Sequence, residues 1–365
     1  MVGMLSNCWL VIKKRNQTEL RLKFINNSQI RFVSGESSQN LRGETIHGAV
    51  IDEVRDQHPD LWPMLIRPML ATTQGWATFL STPNGFDTFY DLAEVAKSDA
   101  TGRWGFISAP STANPHFSQD EFEQAKRDMS DAVFAQEILA EFRDLTKGKA
   151  YINASRENER LTSPFSLDGG LISPHLPICV FMDFNVNPMA WLLGQYKFSG
   201  EFYFFDEIWL EGSNTQEAAK VLADRVRDHK PGCVVVGDAS GNSRRTASAG
   251  KTDYTILQDV LSREGIHYEN RTPDSNPAVK DRINCVNAKL KGADGAVRLF
   301  FHPEKCKHLK KDLDRVCWKP GSGQAIIDKT SDSTLTHISD AMGYGVYELS
   351  DKWQPSPGVL RVIRR

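Results

Sequence analysis

Cysteine is sparse in this chain. Its six residues (Cys8, Cys179, Cys233, Cys285, Cys306 and Cys317) form no C-x-x-C pair and no zinc-like spacing. That excludes a disulfide scaffold and makes a reduced, cytoplasmic protein the default reading. Long apolar runs are also lacking. Residues 177–182 are typical of the longest, where a membrane helix needs about 18 or more, so no membrane partner is expected. Met1 is not followed by a basic region, an apolar stretch and a small-residue cleavage site, so no secretory signal is evident. An excess of one charge is missing too: 44 basic against 46 acidic side chains give a formal net charge of −2. A histone-like polybasic binder is thereby excluded. With no internal repeat, collagen and coiled-coil architectures drop out as well.

What remains is ordinary soluble composition, 40% hydrophobic and 25% charged over 365 residues. At roughly 100–200 residues per domain, two domains are expected. The balanced charge hides a gradient. Residues 1–171 carry 18 basic and 22 acidic side chains, residues 172–365 carry 26 and 24, and residues 280–319 carry 11 and 5. This last stretch reads either as a solvated helix face or as a flank of a nucleic-acid path.

The first half alternates strands and helices. Residues 19–24 and 29–33 read as strands around an Asn26-Asn27 turn, and 47–51, 76–80 and 105–108 as further strands. A helix is expected from Ser118 through Phe134, opened by a Ser118–Glu121 capping pair. Residues 144–177 have no steady period. The second half restarts with strands at 178–184, 191–196, 202–209, 233–236 and 297–301, and helices at 215–229, 281–291, 304–316 and 335–349.

Two acidic patterns carry chemistry. The apolar strand Gly48-Ala49-Val50-Ile51 ends in Asp52-Glu53, the form of a Walker B element. There an Asp holds the Mg²⁺ of a nucleotide and the next Glu polarises the attacking water. The phosphate-cradling partner, G-x-x-x-x-G-K-S/T, is missing. Gly250-Lys251-Thr252 imitates its end but has Arg245 where the first glycine belongs, and we read it as a decoy.

The second pattern is a set of three aspartates. Asp183 and Asp238 each end a buried strand, and Asp340 lies on the last expected helix. Two strand-end acids and one helical acid in this order suit a ribonuclease-H-like site. Such sites gather carboxylates because two Mg²⁺ or Mn²⁺ ions, about 3.5–4 Å apart, are held beside a phosphodiester. Oxygen ligands without Cys or His suit those hard ions rather than zinc. The plainer alternatives are a turn cap at Asp183, an Asx turn at Asp238 and a solvent-facing Asp340. Glu207 is a further candidate ligand, and His337, one turn before Asp340, reads either as a phosphate or water contact or as a structural histidine.

Taken together these segments resemble the large terminase subunit of tailed bacteriophages nearly end to end. The resemblance rests on N-L-R-G (40–43), A-V-I-D-E-V (49–54), F-L-S-T-P-N-G (79–85), N-P-H-F (114–117), A-Q-E-I-L-A-E-F (135–142), F-M-D-F-N (181–185), G-D-A-S-G-N-S (237–243) and L-T-H-I-S-D-A-M-G-Y (335–344). It implies an α/β chain in which a P-loop ATPase domain of the additional-strand type precedes a ribonuclease-H-like nuclease. On that reading residues 1–145 are the C-terminal portion of the ATPase domain, 146–175 a linker, 176–350 the nuclease and 351–365 a tail. Asp52 and Glu53 would serve Mg-ATP, and Ser81 and Thr82 would belong to the motif coupling hydrolysis to DNA movement. Asp183, Asp238 and Asp340 would bind the two nuclease ions. ATP use would require a Walker A supplied upstream, so the motor is expected to be inactive in this chain. The implied partners are double-stranded DNA, the portal protein, the small terminase subunit and further copies of the chain, in the host cytoplasm at the procapsid portal. A non-catalytic prophage remnant or assembly subunit and a resolvase-like nuclease are the alternatives.

Overall fold

A computed structural model describes residues 12–35, 41–85, 87–143, 145, 148–185, 187–243, 250–319, 325–329, 332 and 334–350. The tail expected at 351–365, Asn40 of the N-L-R-G segment and Arg245 lie outside the described residues. The chain divides into two compact units, Met1–Phe106 and Ile107–Arg365.

In the first unit, β1 (Ile12–Asn16), β2 (Arg21–Phe24) and β3 (Gln29–Arg31) form an antiparallel sheet. The expected Asn26-Asn27 turn joins β2 to β3: Asn26 Oδ1 accepts from the Ser28 amide at 3.0 Å, and Asn27 takes the left-handed φ of 64° that asparagine tolerates. Strand β1 was not foreseen, because its Lys13-Lys14-Arg15 run carries no apolar alternation. A separate parallel pair, β4 (Gly48–Ile51) and β5 (Trp76–Phe79), runs in register from Gly48↔Trp76 to Ile51↔Phe79. Its crossover is a wide helical turn, Leu61–Ile66, continuing into α1 (Arg67–Ala71). Ile51, Val54, Leu65, Ile66, Met69 and Leu70 close a small core beneath it. Helix α2 (Thr88–Ser98) starts where Asp87 accepts from the amides of Phe89 and Tyr90. The strand expected at 105–108 does not form, and that segment is irregular.

The second unit opens with α3 (Gln119–Asp128) and α4 (Asp131–Glu137). The sequence pattern suggested one continuous helix. Instead Met129 is extended, and Ser130 caps a new helix by accepting from the Val133 amide. The periodicity survives because both pieces bury the same cluster, around Ala125, Phe134 and Ile138. The irregular stretch that follows is tied down. The Ala150 amide donates to the Val316 carbonyl, and Asn158 donates from Nδ2 to the carbonyls of Leu290 and Leu299, each at 2.9 Å.

At the centre stands a six-stranded sheet of β6 (Ile178–Asp183), β7 (Met189–Lys197), β8 (Glu201–Leu210), β9 (Cys233–Gly237), β10 (Tyr268–Asn270) and β11 (Leu299–Phe301), ordered β10-β9-β6-β7-β8-β11. The β6-β7-β8 meander is antiparallel, whereas β9 joins β6, β10 joins β9 and β11 joins β8 in parallel. Strand β6 is apolar throughout because both of its faces are covered. Ile178, Val180 and Met182 face the core shared with α5 (Thr215–Val226) and α6 (Asp253–Arg263). Cys179 and Phe181 face the core shared with α7 (Val279–Leu290), α8 (Lys307–Arg315) and α9 (His337–Ser350). Helix α9 lies close on β6 at Gly345, where a Cβ would fall 1.7 Å from the Phe181 ring.

Candidate active site

Two carboxylates are brought together by strand register. Strands β6 and β9 run in parallel from Ile178↔Cys233 to Met182↔Gly237, and the Asp238 amide donates to the Met182 carbonyl at 3.0 Å. Asp183 and Asp238 therefore leave the sheet at neighbouring strand ends. Asp340 is delivered separately, on the first turn of α9 where that helix packs against β6. The three residues come from distant parts of the sequence but meet electrostatically at Asp183. Burial raises the pKa of its carboxyl, a hydrogen bond from His337 opposes that, and the charges of Asp340 and Asp238 add to the rise.

Each carboxylate has polar company. Asp183 Oδ2 accepts from Asn185 Nδ2 at 2.6 Å and lies 3.4 Å from His337 Nδ1, and Asn185 and His337 are themselves 3.1 Å apart. Asp238 closes an Asx-type turn, accepting from the Ser240 amide at 2.7 Å and hydroxyl at 2.6 Å, and also from Asn276 Nδ2 at 2.6 Å. Asp340 pairs with Arg282 Nη2 at 2.7 Å and with Lys329 Nζ at 3.1 Å. Among the described residues no three His, Cys, Asp or Glu side chains stand close enough together to clasp one ion.

The chain holds α9 firmly. Asp312 of α8 reaches its first turn and accepts from the Ser339 amide at 3.0 Å, an acidic group at a helix N-terminus. Thr336, just before α9, has φ +79°. That is a left-handed conformation costly for a β-branched residue. Its buried hydroxyl has no hydrogen-bond partner among the described residues.

Glu207 is not directed at the aspartates. It is buried in β8 and accepts from the Leu309 amide at 2.6 Å, the His308 amide at 3.1 Å and His308 Nδ1 at 3.0 Å. It thus caps α8.

The sequence pattern did not single out Arg282, Lys329, Asn185, Asn276 or Asp312. For Arg282 a signal was present. It lies at i+3 from Val279 on the stripe with Ile283 and Val286, so helical spacing alone puts this cation inside. At least five of the eleven basic side chains in 280–319 have local partners: Lys310 pairs with Glu159 at 2.8 Å, Lys311 with Asp332 at 2.9 Å and Lys291 with Glu157 at 3.1 Å, while Arg298 pairs with Asp294 and buried Arg282 with Asp340. Those local pairs favour the solvated-face reading for the exposed residues among these five.

In the first unit Asp52 and Glu53 are exposed at the end of β4, and Glu53 takes a left-handed φ of 46°. The Val54 amide donates to the Leu80 carbonyl at 3.1 Å, and the Arg55 amide donates to Ser81 Oγ at 3.2 Å. The acidic turn and Ser81 are thus hydrogen-bonded neighbours, with Thr82 the next residue along. Gly250-Lys251-Thr252 lies in the other unit. There Thr252 caps α6 and Lys251 pairs with Asp259 at 2.5 Å, so the segment starts a helix.

The comparisons with known proteins agree on one group. Residues 9–159 match the family model described as the N-terminal part of the terminase large subunit, T4likevirus-type. The large terminase subunit of Escherichia phage T5 is 22% identical over 358 residues, covering 95% of this chain and 76% of that protein. That of Thermus phage G20c is 35% identical over 70 residues, 19% of this chain and 14% of that one. In fold, the large terminase of another thermophilic bacteriophage matches with a TM-score of 0.56 at 18% identity, over 95% of this chain and 80% of that chain; its complex with ADP matches at 0.53.

Proposed function

We propose that this chain, which belongs to the large-subunit family of bacteriophage terminases, is a divalent-metal-dependent DNA endonuclease of genome packaging that uses Asp183, Asp238 and Asp340. The observation carrying the proposal is the parallel register of β6 and β9, which sets Asp183 and Asp238 side by side under the helix that bears Asp340. The donor chemistry fits Mg²⁺ or Mn²⁺: all three are carboxylates, and Asp183 is buried against the repulsion of the other two. Bound ions of this kind activate the attacking water and stabilise the leaving oxygen of a phosphodiester. The chain's own residues fix the carboxylates. Asn185 and His337 orient Asp183, Ser240 and Asn276 orient Asp238, and Arg282 orients Asp340.

The test is nicking of supercoiled plasmid by the purified chain with Mn²⁺. Asp183→Ala is expected to lower the rate by about 100-fold or more, since ions in such a site supply several kcal/mol. No nicking by the unaltered chain would favour the non-catalytic alternative. One observation speaks for that alternative, the double cation pairing of Asp340.

At the acidic turn, Asp52 would hold the Mg²⁺ of a nucleotide and Glu53 would polarise water, with Ser81 and Thr82 answering to the state of that turn through the Ser81–Arg55 hydrogen bond. The sequence contains no G-x-x-x-x-G-K-S/T loop. A fluorescent ATP analogue titrated against this chain is accordingly expected not to saturate. Double-stranded DNA, portal protein and small terminase subunit are the partners this reading implies, with copies of the chain assembling on the portal in the host cytoplasm.

A further inference from the structure

Beside the aspartates stands a second constellation that neither they nor the acidic turn absorbs. Glu207, its side chain 5% exposed, holds His308 at Nδ1, 3.0 Å away, while His308 itself is 40% exposed. The imidazole lies flat on the Trp209 indole, with ring centroids 3.9 Å apart and an interplanar angle of 1°. Trp209 also meets His337 edge-on at 6.3 Å, and His337 Nδ1 is 3.4 Å from Asp183 Oδ2. A chain of ring contacts thus leads from the nuclease carboxylate to His308.

Each part of this arrangement restricts the imidazole. A buried carboxylate at Nδ1 fixes the ring's tautomer and direction, and the stacked indole fixes its plane. Glu207 has its own oxygens filled by the amides of His308 and Leu309, so it cannot swing away without uncapping α8. Nε2 is the ring nitrogen left over, the imidazole is partly exposed, and no hydrogen bond among the described residues engages Nε2. A histidine needed only for packing gains little from a buried carboxylate and half-open exposure together. A histidine that must present one nitrogen to a ligand gains both.

Given the nuclease reading of Asp183, on which this inference rests, we infer that His308 contacts a backbone phosphate of the DNA strand a few nucleotides from the scissile bond. His308 is linked to Asp183 through only two intervening side chains, Trp209 and His337, which keeps it near the carboxylate site. Exposed Lys307 precedes His308 on the same first turn of α8 and adds charge of the matching sign. His308 is therefore a positioning residue for DNA.

The experiment is a fluorescence-anisotropy titration of a labelled DNA duplex with the whole chain in metal-free buffer, repeated over a range of salt. Unaltered chain, His308→Ala and His308→Arg are compared, with thermal melting of each. His308→Ala is expected to bind about 3- to 10-fold more weakly, and His308→Arg, which supplies a hydrogen-bond donor at the same place, to recover most of that. Mn²⁺-dependent nicking should show the His308→Ala defect in KM more than in kcat. Equal binding by His308→Ala and unaltered chain overturns the inference, as does His308→Arg binding no better than His308→Ala, or no DNA binding at all. The nuclease reading fails separately. A chain that never nicks but whose DNA affinity still depends on His308 loses the endonuclease proposal and keeps this contact.

Discussion

Asp312 shows how one buried acid governs the helix that carries Asp340. It is 1% exposed, and burial pushes its pKa up to about 6, although hydrogen bonds from Ser339 and Thr336 pull the other way. A folded-state pKa above the ordinary carboxylate value means the folded chain binds this proton more tightly than the unfolded one. Between about pH 4 and pH 6 stability therefore falls as pH rises, and it levels off above. The contribution lost is on the order of 2–3 kcal/mol. Asp312→Asn keeps an oxygen for the Ser339 amide and removes the titration. In urea melts at pH 4.5 and 7.5 the variant is expected to gain on the unaltered chain at the higher pH. A stability difference independent of pH would show that Asp312 is not the group responsible. Helical spacing puts Asp312, at i+3 from Leu309 and beside Leu313, on the buried stripe of a strongly basic helix, but nothing in the sequence shows what it meets there. Its role depends on a residue 27 positions away.

Between elements, the decisive contact is α9 on β6. Gly345 has no Cβ where one would sit 1.7 Å from the Phe181 ring, so helix and strand approach as only a glycine permits. Gly345→Ala must push α9 off β6, and with it Asp340 away from Asp183. Overpacking of this kind costs about 1–3 kcal/mol. A lower urea midpoint and slower Mn²⁺-dependent nicking are expected together, and Phe181→Leu in the same chain should restore part of both. Additive losses in the double variant would mean that the two residues do not share this contact.

Much at this level was legible. The uninterrupted apolar runs of β6 and β9, each followed by Asp, followed from composition, and so did the amphipathic α5 and α9. Three things were not. The α3–α4 break turns on Ser130, whose capping role competes with an unbroken apolar period. The expected 105–108 strand has the composition but no pairing partner among the described residues, and pairing is a tertiary fact. Glu207 read as a further candidate ligand because it follows the apolar run Phe202-Tyr203-Phe204-Phe205, while its oxygens accept from main-chain amides of α8 that no sequence pattern displays.

For the whole chain, the question is where the nuclease begins. Composition placed the division in the irregular stretch after residue 145, whereas contacts divide the chain between Phe106 and Ile107. The difference is α3 and α4. The Met129 carbonyl accepts from the Ala293 amide at 2.9 Å, the Lys126 carbonyl accepts from the Asp294 amide at 3.1 Å, and Ala293 packs into the cluster of Phe117, Phe122 and Phe134. Both amides sit in the loop between α7 and β11, next to the strand that extends the central sheet. Helices α3 and α4 are thus structurally part of the second unit, the one that carries Asp183, Asp238 and Asp340. A fragment beginning at residue 107 is expected to fold and to retain nicking. One beginning at residue 146 loses two hydrogen bonds worth about 1 kcal/mol each and an apolar contact. Its melting temperature should fall by about 4–8 °C, the shift that about 2 kcal/mol produces in a domain of this size. Equal melting of the two fragments would return the boundary to the composition break and leave α3 and α4 as passengers.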